Sequence, residues 1–135
     1  EQIISHWEKI RQLQDETGGF RAYIMWSFQS ANTQLLKEFP TIQAQSSNRY
    51  LRLLAVARLY LDNFKNIQSS WVTQGSYIGQ MALKFGANDL GSTMMEENVV
   101  SSAGVTNSMN QEQMIKLIKD IGENPAKRDT AYKIL

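Results

Sequence analysis

The sequence predicts an α/β fold built on a parallel sheet, and three observations lead there. The run FRAYIMWSF at 20–28 is nearly all apolar or aromatic, as a strand covered on both faces should be. Residues 67–73 and 88–93 read as two further strands. Helical patterns precede, separate and follow them, giving the order α-β-α-β-α-β-α-α. Strands joined through helices need crossover connections, so they pair in parallel.

Residues 2–16 form the first amphipathic helix, with Ile3, Trp7, Ile10 and Gln14 on one face and Ile4 and Leu13 widening it. Gly18-Gly19 stops it, because glycine tolerates the left-handed conformation of a helix end. After the strand at 20–28, residues 29–47 are polar, broken by Pro40, with a short helical turn at 35–39. A loop this long in a compact domain is usually functional or mobile. Asn48 is the expected N-cap of a helix over 49–63, whose apolar residues cover a wide arc. The second strand, 67–73, turns at Gly75-Ser76 into a helix over 77–85 that Gly86 ends. The third strand, 88–93, runs into a helix at 94–103 stopped by Gly104. Asn110 starts the last clear helix, with Met114, Leu117, Ile118 and Ile121 facing inward and Gly122 ending it. Residues 125–135 are expected to be extended, with a short final helix.

Composition excludes several function classes. A length of 135 residues is one domain or part of one. Fourteen basic and thirteen acidic residues leave a net charge of +1, which is no footprint for nucleic acid or an acidic membrane. The apolar runs are too short to span a bilayer. With no cysteine there is no disulfide, thiolate metal site or cysteine nucleophile in the chain, and a cytoplasmic setting fits. His6, the one histidine, lies off the apolar stripe, so no zinc constellation and no other metal site is expected. The chain opens Glu1-Gln2-Ile3 without Met, and helical periodicity starts at once, so a fragment of a longer protein is the expectation.

Candidate chemistry gathers where strands end, the usual ligand side of parallel folds. In GANDLGSTMMEENVV, 86–100, Asp89, Ser92, Thr93, Glu96 and Glu97 fall within nine residues. Asp89 on a buried strand needs partners, which marks it for a site. Thr93 and Glu96 also match a capping box, so Glu96 has an equally good structural explanation. Trp26, Phe28 and Gln29 at the first strand exit suit an aromatic or nucleoside ligand, although composition alone favours core for the two aromatics. Thr73 at the second exit raises the same question. Arg128 either forks a substrate carboxylate or closes the tail with a salt bridge, and the salt bridge is favoured.

These segments, together with EQIISHWEKIRQLQDETGGF, MWSFQSANTQL, YLRLLAVARLYLDNFKNIQSSWV and PAKRDTAY, carry a resemblance over nearly the whole chain. The chain resembles a radical S-adenosylmethionine family of futalosine cyclases, aminofutalosine synthases and deazaflavin-forming synthases. The wording Ser-Thr-Met-Met-Glu-Glu-Asn and Trp-Ser-Phe-Gln fits the futalosine cyclase branch best. The family's Cys-x-x-x-Cys-x-x-Cys is absent, so the resemblance is to a carboxyl-terminal half.

The resemblance implies a partial (β/α) TIM barrel, 1–135, completed by an N-terminal half of the same barrel. It implies S-adenosylmethionine and a four-iron four-sulfur cluster in the intact protein, the cluster not being held by this chain. The cluster would yield a deoxyadenosyl radical that takes hydrogen from a nucleoside-like substrate in menaquinone biosynthesis. Asp89 and Glu96 would be catalytic, one of them accepting a proton. Trp26, Phe28, Gln29, Thr73, Ser92 and Arg128 would bind substrate. A sister synthase of the family and a non-enzymatic half barrel that pairs with its own copy, a homo-oligomer, remain as alternatives.

Overall fold

The structure, a computed structural model, describes residues 1–42, 45–93, 99–102, 104 and 106–135. Its elements in order are α1 (Gln2–Thr17), β1 (Tyr23–Ile24), α2 (Gln34–Glu38), α3 (Ser47–Tyr60), β2 (Ile67–Gln68), α4 (Trp71–Gln74), α5 (Ser76–Ala82), α6 (Val99–Ser102) and α7 (Gln111–Asp120). β1 pairs with β2 in parallel, Tyr23 opposite Ile67 and Ile24 opposite Gln68, and a parallel bridge joins Gln68 to Asp89. The expected α/β class and parallel pairing are therefore present in a small domain.

Strand length is the main correction. Of 20–28 only Tyr23–Ile24 is paired, and among the described residues the third strand, expected over 88–93, is a single bridge at Asp89. The expected strand at 67–73 ends after Gln68, and Trp71–Gln74 is helical. Val72 and Thr73 are β-branched beside an aromatic, a strand-like composition. Tertiary packing overrides it. The Tyr50 hydroxyl takes the Ser70 amide at 2.9 Å, while the Ser70 carbonyl accepts the amides of Thr73 and Gln74 at 3.1 Å. Trp71 is thereby turned into an apolar cluster with Val72, Leu90, Met109 and Met114. α5 closes on this turn so tightly that a Cβ at Gly79 would lie 2.5 Å from the Trp71 Cβ.

Locally encoded features match more closely. α1 spans nearly the expected residues and ends at Gly18 in the left-handed region. α7 starts at Asn110 with a full capping box, the Asn110 side chain and Gln113 each bonding the other's backbone amide. The N-cap of α3 is Ser46, not Asn48, because its Oγ accepts the Arg49 amide. The tail holds no helix: Arg128 bridges Ile134 in antiparallel fashion, and Tyr132 takes a φ of 64° at the turn between them. Of the helix expected at 94–103, Val99–Ser102 is helical, while 94–98 and 103 lie outside the described residues.

Period-two alternation divides the sheet into two faces. Ile67 packs with Tyr50, Leu51 and Leu54 of α3 and Ala82 of α5, and Tyr23 and Met25 join that side. Trp7 anchors α1 to the same side, burying its ring with Ala57, Leu61 and Phe64 and donating to the Tyr23 hydroxyl at 2.8 Å. Gln68 and Ile24 face the other way. Not every apolar helix residue is covered: Leu59 of α3 is 82% exposed.

Before the strands, Arg58 of α3 ties the loops together. Its guanidinium donates to the carbonyls of Gly86 (2.7 Å) and Phe64 (3.0 Å) and to Asn88 Oδ1 (2.9 Å). Asn88 Oδ1 in turn accepts the Ile67 amide at 2.8 Å. Burial pulls the Arg58 guanidinium below its ordinary value, yet three oxygens satisfy it. Arg58→Ala should lower stability by about 3 kcal/mol, because it strands partly buried acceptors and trims packing. Denaturant unfolding of the two proteins measures this, and an unchanged midpoint would contradict the tie.

Candidate functional site

Several of the sequence-derived candidates lie at the exits of the parallel strands. Beyond β1 the chain stays extended, and exposure alternates along it. Ile24, Trp26 and Phe28 are 40%, 53% and 44% exposed, whereas Ser27 between the aromatics is buried. Trp26 and Phe28 are thus not core: they stand with Ile24 in an apolar row on the side away from the helices. Gln29 folds back, its Nε2 donating to the Ser27 carbonyl at 3.0 Å. The Ser27 hydroxyl accepts Gln74 Nε2 at 2.9 Å, which joins the exits of β1 and β2.

Thr73 is buried at the second exit. Its hydroxyl lies 2.7 Å from Ser70 Oγ and also donates to the Ser70 carbonyl at 3.1 Å, so it shapes the α4 turn from within. Beneath it, burial raises the phenols of Tyr50 and Tyr23 above their ordinary value, opposed for Tyr23 by the bond from Trp7.

The third exit is organised by charge. Asp89 Oδ2 accepts Arg128 Nε at 2.5 Å and Oδ1 accepts Nη2 at 2.9 Å, a two-point fork. Oδ1 also accepts the Gly91 amide at 2.5 Å. Gly91 has a φ of 87°, and a Cβ there would fall 2.6 Å from Gln68 Nε2. Glycine is required on both counts. The Tyr132 ring lies 4.0 Å from the Arg128 guanidinium carbon, and its hydroxyl donates to Gln68 Oε1 at 3.3 Å. The bond to Asp89 raises the Arg128 pKa above its ordinary value, against the opposing effect of burial. Ser92 follows at the exposed end of this strand. Glu96 lies outside the described residues.

Asp89, Arg128 and Ser92 therefore share one strand exit, and Trp26, Phe28 and Gln29 share another of the same parallel set. Gln68, Tyr132, Ser70 and Tyr50 were not singled out from the sequence. Alternation from the buried Ile67 points to Gln68, and Tyr132 sits in the PAKRDTAY segment. Nothing local marks Tyr50 as the partner of an amide 20 residues away. Among the described residues, no three His, Cys, Asp or Glu come together as metal ligands, and no helix is long and apolar enough to cross a membrane.

Parallel strands flanked by helices, with exposed aromatics beside polar groups at the first strand exit, define an α/β domain. Comparison is more specific. Residues 17–135 match the family described as the CofH/MqnC C-terminal region, and the chain belongs to that family. It is 44% identical over 135 residues to the cyclic dehypoxanthine futalosine synthase of Halalkalibacterium halodurans, covering 100% of this chain and 35% of that protein. With the protein of the same name from Streptomyces coelicolor the identity is 46% over 132 residues, covering 98% and 32%. The aminodeoxyfutalosine synthase of Thermus thermophilus is 36% identical over 135 residues, covering 98% and 36%. The chain thus spans about a third of the length of these relatives.

The buried phenols set a pH dependence. Their folded pKa values lie above the unfolded value of about 10, so the folded state holds more protons there. Their contribution is complete below pH ~10 and is lost as pH rises through the folded values. Tyr50→Phe should flatten part of this alkaline fall while costing about 1–3 kcal/mol at neutral pH, because the Ser70 amide loses its acceptor. Denaturation midpoints between neutral and strongly alkaline pH test both effects.

Proposed function

We propose that this chain is the C-terminal part of a radical S-adenosylmethionine enzyme that converts dehypoxanthine futalosine to its cyclic form in cytoplasmic menaquinone biosynthesis. The observation that carries this reading is the identity of 44–46% with two synthases of that name across essentially the whole chain. On it, the parallel strands are part of a barrel whose N-terminal half lies elsewhere in the full-length protein. The side chains here do not fit the iron–sulfur cluster, since there is no thiolate to bind it. No step through the cluster is therefore assigned to these residues.

This chain would contribute positioning and exclusion of water. Trp26 and Phe28 offer faces on which a planar ring of the substrate can stack. Gln29 and Ser92 would hold its polar groups, and Thr73 would keep the second exit in shape from below. Arg128, held by Asp89, would brace the third exit. With Asp89 so engaged, Glu96 is the candidate proton acceptor, on the strength of its motif alone.

Relatives named for other reactions also match, including a tyrosine 4-hydroxyphenyl transferase from Archaeoglobus fulgidus at 43% identity over 140 residues. A sister activity is thus the second reading, and product analysis separates the two. The full-length protein with reconstituted cluster and S-adenosylmethionine should cyclise dehypoxanthine futalosine. No product from it, with product from a sister substrate, would favour the second reading. Trp26→Ala should raise KM about tenfold through lost stacking. Glu96→Gln should lower kcat by roughly 10²–10⁴ if it moves the proton.

A further inference from the structure

Asp89 and Arg128 lie 39 residues apart in sequence, and their side chains are only 10% and 19% exposed. Three hydrogen bonds, two from Arg128 and one from the Gly91 amide, engage the Asp89 carboxylate, which offers roughly four lone-pair sites. The Arg128 end is equally constrained. Nη1 donates to the Asp129 carbonyl at 3.1 Å, and the Tyr132 ring covers one face of the guanidinium.

Arg128 belongs to a self-supporting hairpin. Leu135 and Asp129 donate their amides to the carbonyls of Lys127 and Lys133, at 2.9 and 3.0 Å. Asp129 Oδ1 accepts the amides of Ala131 and Lys133 inside the turn, at 2.8 and 2.9 Å. This hairpin reaches the approach to β1, β2 itself and the Asp89 bridge. Arg21, just before β1, donates to the Thr130 carbonyl at 3.4 Å. Gln68 of β2 meets Tyr132, and Asp89 meets Arg128. The contacts run from Gln68 through Tyr132 and Arg128 to Asp89 and the Gly91 amide.

We propose that Asp89 and Arg128 are positioning residues, whose ion pair latches the C-terminal hairpin across the open sheet face and sets the Gly91–Ser92 strand exit for substrate. Asp89 acts through Arg128 and Gly91, not by taking a proton. Removing either partner leaves the other's charge partly buried and unpaired, so both sides of the latch should loosen together. The effect on substrate rests on the strand exits being the substrate cavity; the latch itself does not.

Amide hydrogen exchange in the full-length protein tests the latch without any assay of activity. Asp89→Ala and Arg128→Ala should each speed exchange about tenfold or more at the hairpin amides and at Gly91. The double variant should add little to either single change, as expected for one shared interaction. Arg128→Lys, which keeps charge but loses the fork, should fall between. Faster exchange confined to the neighbourhood of each substituted residue would overturn the latch.

Kinetics then test its role. Asp89→Asn should raise KM about tenfold, keep kcat within about threefold and leave the pH profile of kcat unchanged. Loss of a limb of that profile, or a fall in kcat beyond about a thousandfold, would make Asp89 the proton acceptor and overturn the assignment. A wild-type protein that turns over no futalosine substrate refutes the proposed reaction, while exchange still decides the latch.

Discussion

The small parallel sheet depends on β2, where Ile67 and Gln68 are adjacent residues that must face opposite ways. Ile67 fills the helix side with Tyr50, Leu54 and Ala82, and burying such a side chain stabilises by about 1.5–3 kcal/mol. That burial commits Gln68 to the other face. The parallel register then places Ile24 and Asp89 on either side of Gln68. A one-residue slip would turn the apolar set outward, so the register is tightly specified despite the short ladder. The positions of Trp26, Phe28 and Arg128 follow from it.

The two ends of the strands are built from different chemistry. On the entry side, Arg58 gives the Gly86 and Phe64 carbonyls a partner and Asn88 does the same for the Ile67 amide, with no carboxylate in these bonds. Such an arrangement ties the loops at the base of the strands. On the exit side, the ladder stops early because the Ser70 amide is taken by Tyr50, and the chain turns into α4. Ending pairing there frees residues 25–29 from the sheet while the Ser27–Gln74 bond keeps them in line. Exposed aromatics on a fixed backbone have the shape that stacking on a planar ring requires.

Several features were legible because their causes are local. α1 and α7 could be placed almost to the residue, since Gly18 and the Asn110–Gln113 box act within one turn. Parallel pairing was legible from helix–strand alternation, and each parallel pairing among the described residues falls inside an expected strand, whereas the antiparallel bridge of Arg128 with Ile134 does not. Strand lengths were not, because Trp71, Val72 and Thr73 carry strand-like side chains in a helical turn held by a distant tyrosine. The N-cap moved from Asn48 to Ser46 for a smaller reason: both residues are competent caps, and only the backbone path selects one.

By itself the sequence determined the α/β class, the stop of α1 and the start of α7, a chain without cysteine, and the segments 20–29, 86–93 and 125–132 as the places to look. Tertiary structure alone decided that Trp26 and Phe28 stand outside the core, and that Asp89 and Arg128 answer each other. Local rules act over a turn of backbone, so a sequence displays them directly. An ion pair between residues 39 apart depends on which face of the sheet each side chain meets, and only the assembled register settles that.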